Sequence, residues 1–230
     1  MIPWVQLDTA TVPGGGGQLR LMQRGTEFAI FAGPIPLMNS RMSSSEIVLA
    51  EIACERLKGK RGVRMLIGGY GMGFTLRAAL AGLSKDAQVV IAELVPQVLD
   101  WARGPMAELA AGCLDDPRVV IHAGDVGEAI AGAKAGFDAI LLDVDNGPDG
   151  LSRDANNRLY TVRGLESARR ALRPGGLLAV WSAAPSKAFT NALQRAGFKV
   201  EELQARANKG RGVRHVIWVA TNPAPRPPRK

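Results

Sequence analysis

The sequence predicts a doubly wound α/β sheet of seven strands, and three observations predict it. From Val63 onward, short apolar runs alternate with amphipathic helical stretches. The runs, among them VVIA, AILLD and LLAVW, are almost continuously apolar, as parallel strands buried on both faces are. The first run ends in a glycine-rich turn, Gly68-Gly69-Tyr70-Gly71-Met72-Gly73, that leads into a helix. An order βαβαβ with right-handed crossovers lays such strands into one sheet with helices on both faces.

Taken in order, residues 1–17 end in Gly14-Gly15-Gly16-Gly17 and read as a flexible lead. QLRLMQR and EFAIFAG, joined at Gly25-Thr26, alternate with period two and predict a small β-hairpin. After the Pro-rich link GPIPL, Ser43-Ser44-Ser45-Glu46 has the pattern of a capping box and opens a helix through Leu57. Strands are expected at 63–68, 88–92, 118–122, 137–143, 176–182, 198–204 and 214–220. Helices are expected near 73–83, 94–112, 126–132, 161–172 and 186–196. Arg173-Pro174-Gly175-Gly176 reads as a stop and a turn. The link from Ala205 to Val213 is short, so the last two strands should be antiparallel neighbours. The expected organisation is a lead and hairpin over 1–42, the sheet domain over 43–221, and a basic, Pro-rich, disordered tail over 222–230.

Composition narrows the function classes. The 230 residues are 47% hydrophobic and 22% charged, which suits one domain with a real core. No apolar run reaches the ~18 residues of a membrane span. The start, MIPWVQLDTATVPGGGG, lacks a basic stretch followed by an apolar one, so a cytoplasmic location is expected. Cys54 and Cys113 lie in apolar helical patterns and read as buried free thiols in a reducing compartment. With His122 and His215 they are too few and too scattered for a structural zinc site, and no metal is expected. The net charge is +8, but the stretch from Arg195 to Lys230 carries nine Lys/Arg and two Glu, so the remainder is nearly neutral. A basic end is weaker than a basic face, and a nucleic-acid partner is disfavoured.

The candidate chemistry sits at successive strand ends. Gly69, Gly71 and Gly73, after Gly68, let the backbone turn tightly and approach a ligand, although such a turn can also be only a turn. Glu93 stands 20 residues past Gly73 at the end of the second strand, where a carboxylate can accept both hydroxyls of a ribose. Asp125, after the third strand, is either an N-cap or a partner for an adenine amino group, with the Val126 amide near a ring nitrogen. Asp143 emerges from AILL at the carboxyl end of the fourth strand, where ligands of such sheets bind.

On these residues, and on LIGGYGMG, AELVPQVLDWA, HAGDVGEAI, FDAILLDVDNGP and LYTVRGLESARRALRPGGLLAV, the chain resembles the spermidine synthase (polyamine aminopropyltransferase) branch of class I S-adenosylmethionine-dependent transferases over roughly 18–204. The resemblance implies a Rossmann-like class I methyltransferase fold and S-adenosylmethionine, or its decarboxylated form, as cofactor. It implies that the Gly loop and Glu93 hold the cofactor's tail and ribose, that Asp125 and Val126 meet its adenine, and that Asp143 faces the reacting amine. Asp143 or Asp145 is the expected general base or amine-orienting group, with Asn146, Tyr160 and Trp181 as candidate substrate contacts. The expected partner is a small-molecule acceptor, with a homodimer left open and no membrane.

The chain also departs from the family. The loop Asp that binds the aminopropyl amine is matched by Gly71, the second gate Asp by Asn146, and the Gln and His-Glu segment by MNSRMSSSE. Loss of an acid costs the dicationic decarboxylated cofactor most. Gly71 therefore favours methyl transfer to an amine or other small nucleophile, with aminopropyl transfer as the alternative. Three rivals stand beside these: a magnesium O-methyltransferase on Asp143-x-Asp145-Asn146, a nucleic-acid methyltransferase, and a non-catalytic cofactor-binding scaffold. The basic link 206–214 leaves the sheet at the same edge; it reads either as a solvated basic turn or, if it overhangs the cleft, as a feature that favours an anionic group on the acceptor.

Overall fold

The computed structural model describes residues 2–41, 43–144, 158–208 and 211–224. Two sheets make up the molecule. The first is antiparallel, in the order β1 (Val5–Thr11), β2 (Gln18–Arg24), β3 (Glu27–Ala32) and β4 (Ile35–Asn39). The expected hairpin is β2–β3, paired from Leu19↔Ala32 to Arg24↔Glu27 about the turn at Gly25-Thr26. The expected flexible lead and Pro-rich link are instead strands. VQLDTAT buries only Ala10, so its own apolar content does not announce it; pairing with β2 supplies its backbone partners. In β4, Pro36 lacks an N–H, which an edge strand tolerates, and the register shifts beside its partner Phe31.

The second sheet has seven strands: β5 (Arg64–Gly68), β6 (Gln88–Glu93), β7 (Val119–Ala123), β8 (Phe137–Leu142), β9 (Leu172–Ser182), β10 (Lys199–Asn208) and β11 (Arg211–Thr221). Their spatial order is β10-β11-β9-β8-β5-β6-β7. β5 pairs in parallel with both β6 and β8, β6 with β7, and β8 with β9. β11 is antiparallel to both neighbours, so β10 runs parallel to the first five strands, as expected. The direction of winding reverses between β5 and β8, which sets the ligand crevice beyond their carboxyl ends.

Helices α1 (Ser44–Arg56), α2 (Phe74–Gly82), α3 (Pro96–Arg103), α4 (Ala107–Ala110), α5 (Val126–Ala131), α6 (Val162–Ala171) and α7 (Lys187–Arg195) cover both faces. The pleat divides the apolar runs between two cores. Met65, Ile67, Val89, Ile91, Ala139 and Leu141 join α1, α2, α3 and the first sheet. Leu66, Val90, Ile140, Leu142 and Leu178 join α5, α6 and α7 on the other side.

Three elements differ from expectation. The helix over 94–112 is broken at Gly104, because Pro105 disfavours a helical residue before it; Gly104 takes φ −102°, ψ −110°. Arg173-Pro174-Gly175-Gly176 lies inside β9 as an irregularity between the Phe137↔Leu172 and Ala139↔Leu177 pairs. The link between the last strands is shorter than read, because β10 and β11 continue to an Asn208↔Arg211 pair. Residues 209–210 and most of the expected tail, 225–230, lie outside the described residues. Both cysteines are free and buried. Among the described residues no helix is long and apolar enough to cross a membrane.

Candidate active site

A cavity of about 210 Å³ opens where the carboxyl edge of the large sheet meets the small one. Leu19, Ile30, Leu37 and Met38 of the small sheet line one wall; Gly69, Gly71, Glu93, Asp125, Asp143, Val144 and Trp181 line the other, and Glu46 reaches in from α1. Most of the expected site residues are thus brought together.

The Gly loop is shaped by close approach. A side chain at Gly69 would meet the Asp143 carbonyl at 3.0 Å, and the loop leaves β5 there with φ +83°, a left-handed conformation. A Cβ at Gly71 would lie 2.7 Å from the Met38 Cε and 2.9 Å from its Sδ. Met38, the penultimate residue position of β4, therefore covers the place from which an acid at position 71 would project. Gly68 and Gly73 sit behind the loop, against Val126 and Tyr70.

Glu93 ends β6 with its carboxylate held by backbone: Tyr70 N–H donates to Oε2 at 2.8 Å and Val95 N–H to Oε1 at 2.9 Å. Burial pushes its pKa up against those hydrogen bonds. The Gly71 and Leu94 amides add to that hold, and the carboxylate lines the cavity. Asp125 is the N-cap of α5, with Oδ1 accepting the Gly127 N–H at 2.6 Å, while it also lines the cavity. The cap and the ligand-facing position coexist. Val126 is buried beside it.

Asp143 follows β8. Its Oδ2 accepts the Thr75 hydroxyl at 2.9 Å. Burial, together with the nearby Glu46 carboxylate, raises its pKa to about 7 despite that hydrogen bond. Burial raises the Glu46 pKa as well, opposed by the Ser45 hydroxyl, which donates to Oε2 at 2.8 Å. Two carboxyl groups that push each other's protons on are a site for shared protons or for a cation.

Glu46 and Thr75 are functional candidates that sequence reasoning missed. Glu46 matched a capping box, but the N-cap Ser43 makes no side-chain cap and Glu46 turns into the cavity, 9% exposed. The available signal was its place at the end of the segment that departs from the family pattern. Thr75 follows the Gly loop by two residues, where a helix's first turn faces the crevice. Of the other expected residues, Trp181 lines the cavity. Tyr160 does not; it is buried edge-to-face against Phe189 in the opposite core, because its ring is drawn to the apolar face of α7. Its hydroxyl donates to the Val144 carbonyl at 3.3 Å and so braces the cavity wall from behind. Asp145 and Asn146 lie outside the described residues.

The spermine/spermidine synthase domain model matches residues 45–195. The chain belongs to that family. The polyamine aminopropyltransferase of Mycobacterium tuberculosis is 36% identical over 130 residues, which are 55% of this chain and 24% of that protein. The polyamine aminopropyltransferase of Nitrosomonas europaea is 39% identical over 99 residues, 43% of this chain and 29% of that one. The chain thus spans only a quarter to a third of the length of these spermidine synthase-family relatives. In fold it is similar to spermidine synthase from Thermotoga maritima, with a TM-score of 0.75 over 96% of this chain and 74% of that one at 17% identity. It is similar, less closely, to the CurJ carbon methyltransferase, with a TM-score of 0.54 over 78% of this chain and 54% of that one at 15% identity.

Proposed function

We propose that this family member transfers an aminopropyl group from decarboxylated S-adenosylmethionine to an amine. The observation that carries the reading is the charge of the cavity: Glu46, Glu93, Asp125 and Asp143 line it, and no Lys, Arg or His does among the described residues. Such a wall attracts cations and repels anions. The expectation of methyl transfer rested on Gly71 alone and left Glu46 uncounted. The family match and the aminopropyltransferase relatives give methyl transfer no support.

The residues suit this cofactor. Glu93 presents a carboxylate to the cavity where ribose hydroxyls can donate to it, and Asp125 offers a second oxygen for an amino group. Gly69 and Gly71 bring bare backbone to the cavity. When bound, the cofactor supplies a carbon made electrophilic by its sulfonium leaving group. The protein's task is then to align an amine, exclude water and remove a proton. Leu19, Ile30, Leu37 and Met38 close the cavity from above with apolar surface. With a pKa of about 7, Asp143 is partly ionised at neutral pH, which lets it take a proton from the incoming ammonium. Thr75 fixes its carboxyl by one oxygen and leaves the other for the amine. Glu46 holds positive charge beside it.

The test is product analysis. Incubation with each cofactor and a panel of amines should release methylthioadenosine from the decarboxylated form. Release of S-adenosylhomocysteine from ordinary S-adenosylmethionine, with no reaction of the decarboxylated form, would overturn the proposal.

A further inference from the structure

The strand order spreads the four acids of the cavity along its length. At the carboxyl edge of the large sheet the strands run β7, β6, β5, β8, β9. Asp125 follows β7, Glu93 ends β6, the Gly loop follows β5 and Asp143 follows β8. Glu46 comes from outside the sheet, on the first turn of α1. Thr75, in the first turn of α2, shows where it arrives. The Thr75 hydroxyl donates to Asp143 Oδ2 at 2.9 Å and lies 3.5 Å from the Glu46 carbonyl oxygen. Glu46 and Asp143 therefore share one end of the cavity, and Glu93 and Asp125 share the other.

A cofactor laid along that edge meets the acids in order. With its adenine and ribose at Asp125 and Glu93, its sulfonium lies by the Gly loop and its tail extends to the end that holds Glu46 and Asp143. The loop offers that tail no acid. Gly71 has a left-handed φ of +56°, and Met38 fills the space into which a side chain there would project. Two carboxyl groups remain for two nitrogens, the ammonium on the donor's tail and the amine of the acceptor. Asp143, fixed by Thr75 and with a pKa of about 7, suits the amine that must lose a proton. Glu46 is 9% exposed, and the Ser45 hydroxyl that donates to its Oε2 at 2.8 Å favours its charged form. A buried carboxylate is costly unless a cation pairs with it. No Lys, Arg or His lines the cavity among the described residues, so the cation that would pair with Glu46 is one that a ligand brings.

From this we infer that Glu46 holds the ammonium of the donor's aminopropyl chain, and that it is thereby the residue that selects the decarboxylated cofactor over ordinary S-adenosylmethionine. The inference deepens the proposed function and rests on it: Asp143 meets the amine of the acceptor, and Glu46 meets that of the donor. Ordinary S-adenosylmethionine carries a carboxylate on the carbon that bears the same ammonium. Brought to Glu46 and Asp143, that carboxylate meets like charge and no cation in the wall to neutralise it. The first turn of α1, in place of the Gly loop, reads the tail.

The experiment measures by calorimetry the binding of three sulfonium nucleosides: decarboxylated S-adenosylmethionine, ordinary S-adenosylmethionine, and the S-propyl analogue that lacks only the amine. The wild-type protein should bind the decarboxylated form about 10–100-fold more tightly than the propyl analogue, the worth of a hydrogen bond between charged groups, and more tightly than the ordinary cofactor. Glu46→Gln should bring the first ratio toward one and narrow the second, with binding of the propyl analogue kept as the sign of an intact fold. Glu46→Asp, which restores the charge on a shorter stem, should recover part of the preference. Equal wild-type affinity for the decarboxylated form and the propyl analogue would overturn the assignment. So would Glu46→Gln that weakens all three ligands by one factor or leaves the preference unchanged. Should Glu46→Gln bind none of them, the wild-type ratios and Glu46→Asp decide. Turnover is read separately, by methylthioadenosine release. If no amine yields methylthioadenosine yet the preference is seen and is lost in Glu46→Gln, the transfer reaction is wrong and the role of Glu46 stands.

Discussion

An aspartate stands near each end of strand β8, Asp138 buried and Asp143 half-buried just beyond Leu142, and the two are held in opposite ways. Asp138, at the amino end, is fully buried; Lys60 pairs with its Oδ1 at 2.6 Å and Arg173 with its Oδ2 at 2.7 Å, while the Arg64 N–H donates at 2.8 Å. Burial pushes its pKa up, but the amide and the two cations outweigh that and hold it below the ordinary 3.8. Asp143, just past the carboxyl end, meets a hydroxyl and a second carboxyl group, and its pKa rises to about 7. One strand thus shows a carboxylate neutralised by cations beside a carboxyl group that faces another carboxyl group. The first fastens β8, β5 and β9 together; the second lines the cavity.

The largest contrast should come from activity. Asp143→Asn should lower turnover about 10²–10⁴-fold, the usual worth of a general base, with cofactor affinity largely kept. Wild-type turnover should rise with pH through about 7, as Asp143 ionises. Asp138→Ala should leave the pH limb in place and instead destabilise the fold by about 2–4 kcal/mol in denaturant titration. The effect stays at the lower end because Lys60 and Arg173 are 40% and 39% exposed and can return to water.

The two aspartates should also carry opposite pH signatures in stability. The Asp138 pKa is depressed by folding, so its contribution is present above the ordinary carboxylate value and is lost as pH falls through its lowered value. The Asp143 pKa is raised by folding, so its favourable share is full below 3.8 and is lost as pH rises toward 7. Asp143→Asn should therefore stabilise the ligand-free protein by about 1–3 kcal/mol at pH 8 and by little at pH 4. The smallest expected effect sharpens the same point. Glu46→Gln removes a neighbouring negative charge, so the activity limb should move to lower pH. An unmoved limb would show that Glu46 does not face Asp143 electrostatically.

The large sheet was legible because its strands are buried on both faces, so VVIA and AILLD declare themselves by composition. The small sheet was half legible. β2 and β3 alternate cleanly, whereas β1 and β4 depend on partners that a local pattern does not reveal. In the site, Glu93 and Asp143 could be read from their places at strand ends. Glu46 could not, because its spacing from Ser43 satisfies a capping rule that the folded helix does not use. Met38 was hidden for a different reason: it reaches Gly71 only because the small sheet folds over the loop.

The strand order has a consequence for how the chain folds. β11 is the last strand in sequence but lies inside the sheet, between β9 and β10. Until residues 211–221 arrive, β9 has an open edge and β10 has no neighbour to join. During synthesis the earlier strands can assemble around β5, yet closure waits for one of the most distant pairings in the chain. Trp181 sits on that waiting edge. The Trp181 wall of the cavity is therefore among the last parts of the molecule to form, and a chain stopped short of β11 would expose an unpaired, apolar strand ready to join another copy.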